Sequence, residues 1–464
     1  MMRDAAIGLG ALVLAIWLAA PGSVPPPAWW LLVAPMALAS GPLARRLGAR
    51  WPGHPALASV AAGAAAALGS DVLLAVAGAW RSANPAFAAV HALVLALGLI
   101  ATRPGRAGRP PLAALLDRPL HLPDPASIAP VVQGRHVLIT GAGGSIGAAL
   151  ARQVAALAPA SLTLLDHSEY ALWRIDTALA ESQPELPRRA LLADIRDATR
   201  IRRIMAEARP DIVLHAAALK HVPITEAQPL EAILTNALGT RVVADAARDA
   251  GVGCFVLVST DKAVNPVSVM GATKRLAEMY GQALDDPRGM RCLAVRFGNV
   301  LGSSGSVVPV FRRQIARGIP LTVTHPAMRR YFMTLEEAAG LILRAARLRD
   351  AAAGAVFVLD MGAPIRILEL ARRMLRASGQ DLPIRFTGMR PGERLDEEPP
   401  TADALPSREA GVLVATPRPV DAALVGRAID ELSMLAQAGH AQAARERLWR
   451  VIGQDSPALR SVAH

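Results

Sequence analysis

An apolar, strand-like run, Phe255-Val256-Leu257-Val258, ends in Ser259-Thr260-Asp261-Lys262. In parallel α/β sheets ligands bind beyond the carboxyl ends of the strands, so these polar residues stand where chemistry is done. A carboxylic acid beside an amine is a candidate proton-transfer pair. Lysine usage singles out the same stretch. The chain has 50 Lys plus Arg, yet its only lysines are Lys220, Lys262 and Lys274, all within 55 residues. Arg keeps its proton, whereas a desolvated Lys can serve as a base. The three lysines therefore read as chemical.

A second constellation lies upstream. Thr140-Gly-Ala-Gly-Gly-Ser-Ile-Gly147 follows an apolar strand and opens a helix. Gly141, Gly144 and Gly147 are spaced G-x-x-G-x-x-G. Bare glycines let backbone approach a pyrophosphate, and the helix N-terminus stabilises its charge. Ser145 and Ile146 belong to the same cofactor loop. Asp166 ends the next strand, 19 residues after Gly147. A carboxylate there can accept from ribose hydroxyls and repels a 2′-phosphate, favouring NAD over NADP. No G-K-[ST] follows, which disfavours an ATP-type loop.

The elements that must position these residues fall into two solvent classes. At 464 residues the chain holds two or three units. A hydrophobic fraction of 52% and a mean hydropathy of +0.32 point to membrane segments. Four apolar stretches, about 5–21, 28–44, 56–79 and 84–101, approach the roughly 20 residues that cross a bilayer. Residues 1–102 are therefore expected as about four transmembrane helices. Arg45, Arg46 and Arg50 fill the second loop and Arg103, Arg106 and Arg109 follow the fourth stretch. That asymmetry puts both termini in the cytoplasm. Residues 103–133, rich in Pro and Arg, read as a linker. From His136 onward short apolar strands alternate with helices: strands 136–140, 162–165, 190–193, 212–215, 255–258 and 292–296, and helices 145–157, 168–181, 198–208, 227–250 and 268–285. The expected fold is a Rossmann-like, doubly wound parallel sheet over 134–400, with a smaller substrate lobe mainly at 297–400. A strand near Val356–Leu359 and a C-terminal helical tail over 401–464 complete the pattern. Two cysteines, Cys254 and Cys292, offer neither a disulfide framework nor a metal cluster, so no metal is expected. The net charge of +12 is spread over scattered arginines with 4% aromatics, which argues against nucleic acid.

Together these motifs resemble an extended short-chain dehydrogenase/reductase and, more closely, the membrane-anchored nucleotide-sugar 4,6-dehydratases of bacterial polysaccharide biosynthesis. The carriers, between about Leu115 and Glu398, are LITGAGGSIG (138–147), LLDHSEYALWRID (164–176), ADIRD (193–197), HAAALKHVP (215–223) and NALGT (236–240). STDKAVNPVSVMGATKR (259–275), RFGNVLGSSGSVVPVF (296–311), THPAMRRYFMT (324–334) and MRPGE (389–393) complete them. The resemblance implies that Asp194 and Ile195 border the adenine, and that Ala216, Ala217 and Ala218 line the cofactor. Asn236 then stands behind the site, and Lys274 holds the nicotinamide ribose. Asn299 and Arg390 contact the nucleotide diphosphate, Glu393 belongs to the substrate-binding set, Val308 and Phe311 lie near the uracil, and Lys220 faces the sugar or its phosphates.

Two departures from the wider superfamily stand out. Its Tyr-x-x-x-Lys is here Met270-Gly-Ala-Thr-Lys274, a variation the membrane-bound dehydratases share. That leaves the C4 hydroxyl proton to Thr260, directly or through water, or to Lys274. The extra domain of larger relatives does not fit into residues 103–133. The implied reaction oxidises C4, which acidifies the C5 proton. Lys262 takes that proton and Asp261 protonates the departing C6 hydroxyl, so Lys262 must be neutral, with a lowered pKa. UDP-N-acetylglucosamine is the implied substrate and NAD the cofactor. A homo-oligomer at the bacterial inner membrane, contacting lipid and with a cytoplasmic catalytic domain, is implied as well. A 4-epimerase on the same fold is the nearest alternative, and a non-catalytic nucleotide-binding scaffold the other.

Overall fold

A computed structural model describes residues 112–116, 118–398, 404–415 and 421–453. The unit formed by 110–376 and 380–464 carries the sheet and its helices. Among the described residues no helix is long and apolar enough to cross a membrane. The expected class is corrected accordingly: the fold seen is an α/β Rossmann-like sheet without a membrane-spanning helix, and the stretch 1–102 lies outside the described residues.

Strands β1 (His136–Thr140), β2 (Ser161–Asp166), β3 (Arg188–Leu192), β4 (Ile212–His215), β5 (Cys254–Val258) and β6 (Arg291–Arg296) pair in parallel in the order 3-2-1-4-5-6. Strand Val356–Leu359 adds in parallel to β6, and Val412–Ala415 and Ala404–Pro406 extend the sheet antiparallel to nine strands. The stretch 401–464, expected as helical, thus opens with two strands before its helices Ala422–Gln437 and Ala441–Val451. The central strands are apolar throughout because helices cover both faces. One face packs the helices Ser145–Ala156 and Leu335–Ala345, and the other packs Ala198–Ala208, Gly239–Asp249 and Val269–Leu284. Trp449 and Leu448 of the last helix are buried in this second layer.

A third core gathers Val308, Phe311, Leu321, Phe332, Leu370 and neighbours from the 297–400 stretch. Leu115 and Leu116 belong to it, and the helix Pro125–Val132 buries Ile128, Val131 and Val132 against the main sheet. The described part of the supposed linker is therefore packed structure. The helix expected over 227–250 is broken into Val222–Ala227, Pro229–Ala232, a π-turn at Ile233–Leu238 and Gly239–Asp249. Pro229 removes a backbone donor at the break, and such π-turns recur at functional sites. The sheet's rims differ from its centre: β3 carries Arg188 and Arg189, and the opposite outer strand is three residues long and ends in Pro406.

Candidate active site

The strand order reverses between β1 and β4, the crevice where doubly wound sheets bind ligands. A cleft of about 390 Å³ opens there. It collects residues from the ends of β4, β5 and β6, from the helix Val269–Leu284, and from the segments 303–306 and 390–397.

The acid–amine pair sits in a 3-10 turn, Asp261–Ala263, whose cap is Thr260: its Oγ1 accepts from Lys262 N at 3.4 Å. Thr260 Oγ1 also donates to Asp261 Oδ1 at 2.9 Å, and Lys262 Nζ donates to the same oxygen at 2.9 Å. Lys262 Nζ further donates to Asn299 Oδ1 at 3.3 Å. The turn is fixed from both sides. Backbone N–H groups of Ser259 and Asp261 donate to Val295 and Phe297 carbonyls, and Gly271 brings the next helix against it. A Cβ on Gly271 would stand 2.2 Å from the Lys262 carbonyl oxygen, so only glycine allows this approach. Asp261 is 2% exposed, and its Oδ2, facing Gly298, has no hydrogen-bond partner among the described residues.

Electrostatics correct one expectation. Burial pushes the Lys262 amine down, but the carboxylates of Asp261 and Glu397 outweigh it and raise its pKa above the ordinary value. Lys262 thus rests as ammonium. Lys274 is the opposite case. It is buried, has no ion-pair or hydrogen-bond partner among the described residues, and burial lowers its pKa to about 8 against a smaller opposing pull from Glu278. Glu278 itself is engaged elsewhere. Ser259 Oγ donates to it at 2.6 Å and Arg296 binds it through two nitrogens at 2.7 and 2.6 Å. Burial raises the Glu278 carboxyl, yet Arg296 outweighs that and holds it low. Met270 lines the cleft with no proton to exchange.

On the cofactor side, Gly141 takes φ +64°, and a Cβ there would lie 2.7 Å from the Ala217 backbone. At Gly147 a Cβ would stand 2.0 Å from the Gly141 carbonyl oxygen. At both positions a side chain would collide with backbone, so only glycine allows this tight packing of the loop. Gly144 caps the Ser145–Ala156 helix, and Ile146 lines the cleft. Ser145 Oγ accepts from Ser304 N at 2.9 Å. Asp166 accepts from Gly143 N and Ser168 N, both at 2.9 Å, so it holds the loop in shape. Ala216 and Ala218 line the cleft, while Ala217 N donates to Thr140 Oγ1. Beneath them, His215 bridges Thr140 and Thr240. Burial first, with Lys274 adding, pushes its pKa down to about 3, so the ring is neutral.

The other residues that the sequence singles out fall at varying distances from the chemistry. Asp194 is engaged by Arg196; burial raises its carboxyl, but that guanidinium lowers it overall. Ile195 packs where a Gly239 side chain would stand. Asn236, on the π-turn, donates to the Leu219 carbonyl and Thr273 Oγ1 and accepts from Leu219 N, tying the Lys220 loop to the Lys274 helix. Lys220 lines the cleft without a partner among the described residues, its pKa lowered by burial. Arg390 and Glu393 also line the cleft and close a turn in which Arg390 N donates to Glu393 Oε2. Val308 and Phe311 do not reach the cleft wall; both are fully buried in the third core. Sequence reasoning missed Glu397 and Arg330, which meet at 3.3 Å on the cleft wall beside Lys262. His221 lines the cleft as well, against Gly305.

Comparisons with known proteins fit this geometry. A family model described as "Polysaccharide biosynthesis protein" matches residues 137–409. The chain is 49% identical over 280 residues to the "Capsular polysaccharide biosynthesis protein CapD" of Staphylococcus aureus, covering 59% of this chain and 46% of that one. It is 33% identical over 269 residues to a "UDP-N-acetylglucosamine 4,6-dehydratase (inverting)" of Campylobacter jejuni, covering 57% and 77%. A crystal structure of DesIV, a dTDP-glucose 4,6-dehydratase from Streptomyces venezuelae with NAD and TYD bound, superposes with a TM-score of 0.52 at 25% identity, covering 65% and 95%. The match spans about half the length of the first curated relatives, 46% in each of two. With the family model covering more than half of the sequence, the chain belongs to the polysaccharide biosynthesis protein family.

Proposed function

We propose that the protein is an NAD-dependent nucleotide-sugar 4,6-dehydratase whose substrate is UDP-N-acetylglucosamine. The observation that carries the reading is the Asp261–Lys262 pair, 2.9 Å apart, beyond the end of β5, with Lys262 and Lys274 lining one cleft and Asp261 buried beside Lys262. The Gly141–Gly147 loop suits a dinucleotide pyrophosphate, because it leaves bare backbone at the N-terminus of the Ser145–Ala156 helix. When bound, the nicotinamide supplies reversible hydride acceptance from the sugar C4 and its return at C6. Asp166 suits unphosphorylated ribose, and Lys274 holds the nicotinamide ribose.

The chain's own residues move the protons. The C4 hydroxyl proton passes to Lys274 as free amine, its pKa being lowered, directly or by relay through Thr260 Oγ1 and water, the threonine hydroxyl releasing its own proton as it takes the new one. Lys262, as free amine, takes the C5 proton once C4 is a ketone. Asp261, as carboxylic acid, protonates the C6 hydroxyl, and its orphaned Oδ2 is the oxygen without a competing partner. One proton shared across 2.9 Å serves both tasks: its transfer from Lys262 to Asp261 generates the base and the acid together. No outside proton source is needed. Lys220 and Arg390, cations without carboxylate partners on the cleft wall, and Asn299 suit the diphosphate end of the substrate. The 297–400 stretch would be the substrate lobe.

A 4-epimerase would need no acid at C6, so an acid–base pair here favours dehydration. The test is incubation of the purified full chain with UDP-N-acetylglucosamine carrying deuterium at C4. A 6-deoxy-4-ketose with deuterium in its methyl group is expected; a 4-epimer, or a methyl group without deuterium, overturns the reading.

A further inference from the structure

Lys262 has more negative charge around it than an acid–base pair requires. Its Nζ lies 2.9 Å from Asp261 Oδ1 and also 3.4 Å from Glu397 Oε1, a side chain only 6% exposed. Glu397 is held from behind by Arg330 Nε at 3.3 Å. The remaining donors of that guanidinium are committed to the Arg329, Leu395 and Arg394 carbonyls, which ties down the segment carrying Glu397. The groups facing Lys262 are thus Asp261 from its own turn, Glu397 from the 389–398 segment and Arg330 from the strand Arg329–Arg330. Asn299 adds a neutral oxygen, and Tyr331 faces Asp261.

We propose that Glu397 is a positioning residue that acts through Lys262, stabilising the ammonium that Lys262 becomes when it takes the C5 proton. The inference rests on the dehydratase reading. In the elimination an N–H bond forms at Lys262 as C5–H breaks. The released electron pair becomes the C5–C6 double bond, and the C6–O bond breaks. The hydroxyl leaves as water with the Asp261 proton. After the transfer from Lys262 to Asp261 the pair stands as amine and carboxylic acid, and the elimination returns it to ammonium and carboxylate. A fixed negative charge beside Lys262 favours the end state, and because Arg330 already orients it, no reorganisation accompanies the reaction.

The three-lysine composition makes this directly measurable, because a full chain labelled with ¹³C-lysine gives signals from Lys220, Lys262 and Lys274 only. In Glu397→Gln the Lys262 titration midpoint is expected to fall by about one pH unit or more, with the other two lysines unmoved. In single turnovers, C4 oxidation read at 340 nm should stay close to the parent rate. The alkaline limb of elimination, where the pair loses its one shared proton, should move to lower pH in step with the Lys262 midpoint. Glu397→Asp should return both toward the parent values. An unmoved Lys262 midpoint, or equal loss of oxidation and elimination, overturns the proposal. If the parent chain oxidises no nucleotide sugar, the dehydratase reading fails on that ground, while the titration still decides whether Glu397 governs the Lys262 proton.

Discussion

Lys262 and Lys274 stand 12 positions apart, on a turn and on the helix that follows it, and the fold treats them in opposite ways. Lys262 is wedged between two carboxylates, which hold its proton more firmly than water would. Lys274 is buried with no carboxylate in contact and holds its proton less firmly, down to about 8. Burial acts on both in the same direction; the difference lies in the partners. A buried lysine is thus neither acid nor base until its neighbours are counted.

The comparison breaks most visibly at the turn. Lys262→Met and Asp261→Asn are each expected to slow elimination by about 10²–10⁴-fold. Oxidation at C4 should persist, read as absorbance at 340 nm without 6-deoxy product. Equal loss of both steps would mean the pair serves binding, not proton transfer. Next in size is Gly271→Ala. Its Cβ would press on the Lys262 carbonyl and displace the turn, and a shift of about 1 Å is enough to cost on the order of 10²-fold in turnover.

Stability sharpens the contrast further, with opposite signs. The folded pKa of Lys274 lies below its unfolded value of 10.5, so its charged form costs stability in full below about 8, and the cost fades as pH rises toward 10.5. Lys274→Met should therefore raise Tm at pH 7 and raise it less at pH 10. For Lys262 the folded value is raised, so its stabilisation is present below 10.5 and is lost as pH rises through the folded pKa. Lys262→Met leaves the buried Asp261 without its cation and should lower Tm at pH 7. Thermal melts of both variants across pH check the two signs together. The smallest effect is expected on the cofactor side. Asp194→Asn removes the carboxylate that binds the Arg196 guanidinium. It should weaken binding of the nicotinamide cofactor only a few-fold, in keeping with its half-exposed setting.

Much of this site was legible because its signals are local. Apolar runs of four to six residues end at Thr140, Asp166, His215 and Val258, and helices start at Ser145 and Val269 behind their caps. The turn at Asp261–Lys262 and the glycine cradle came from those boundaries alone. Glu397 did not, since it lies 135 positions beyond Lys262 and meets it only once the chain has folded, and nothing in its own neighbourhood marks it. The raised pKa of Lys262 was hidden for the same reason. The π-turn was also illegible, because its apolar spacing reads as ordinary helix while Pro229 and the Asn236 contacts reset the winding. Val308 and Phe311 came from motif resemblance, which carries no burial, and both side chains turn inward. The tail strands Ala404–Pro406 and Val412–Ala415 are three and four residues long, too short to announce themselves by pattern.

A nine-stranded ladder must stop somewhere, and an open flank invites a neighbour to continue it. Pro406 offers no N–H on one flank, and Arg188 with Arg189 puts paired positive charges along the other. On the second flank each guanidinium is held by a carboxylate, Arg188 by Asp176 and Arg189 by Glu207, so a strand docking there would have to fit beside bulky salt-bridged side chains.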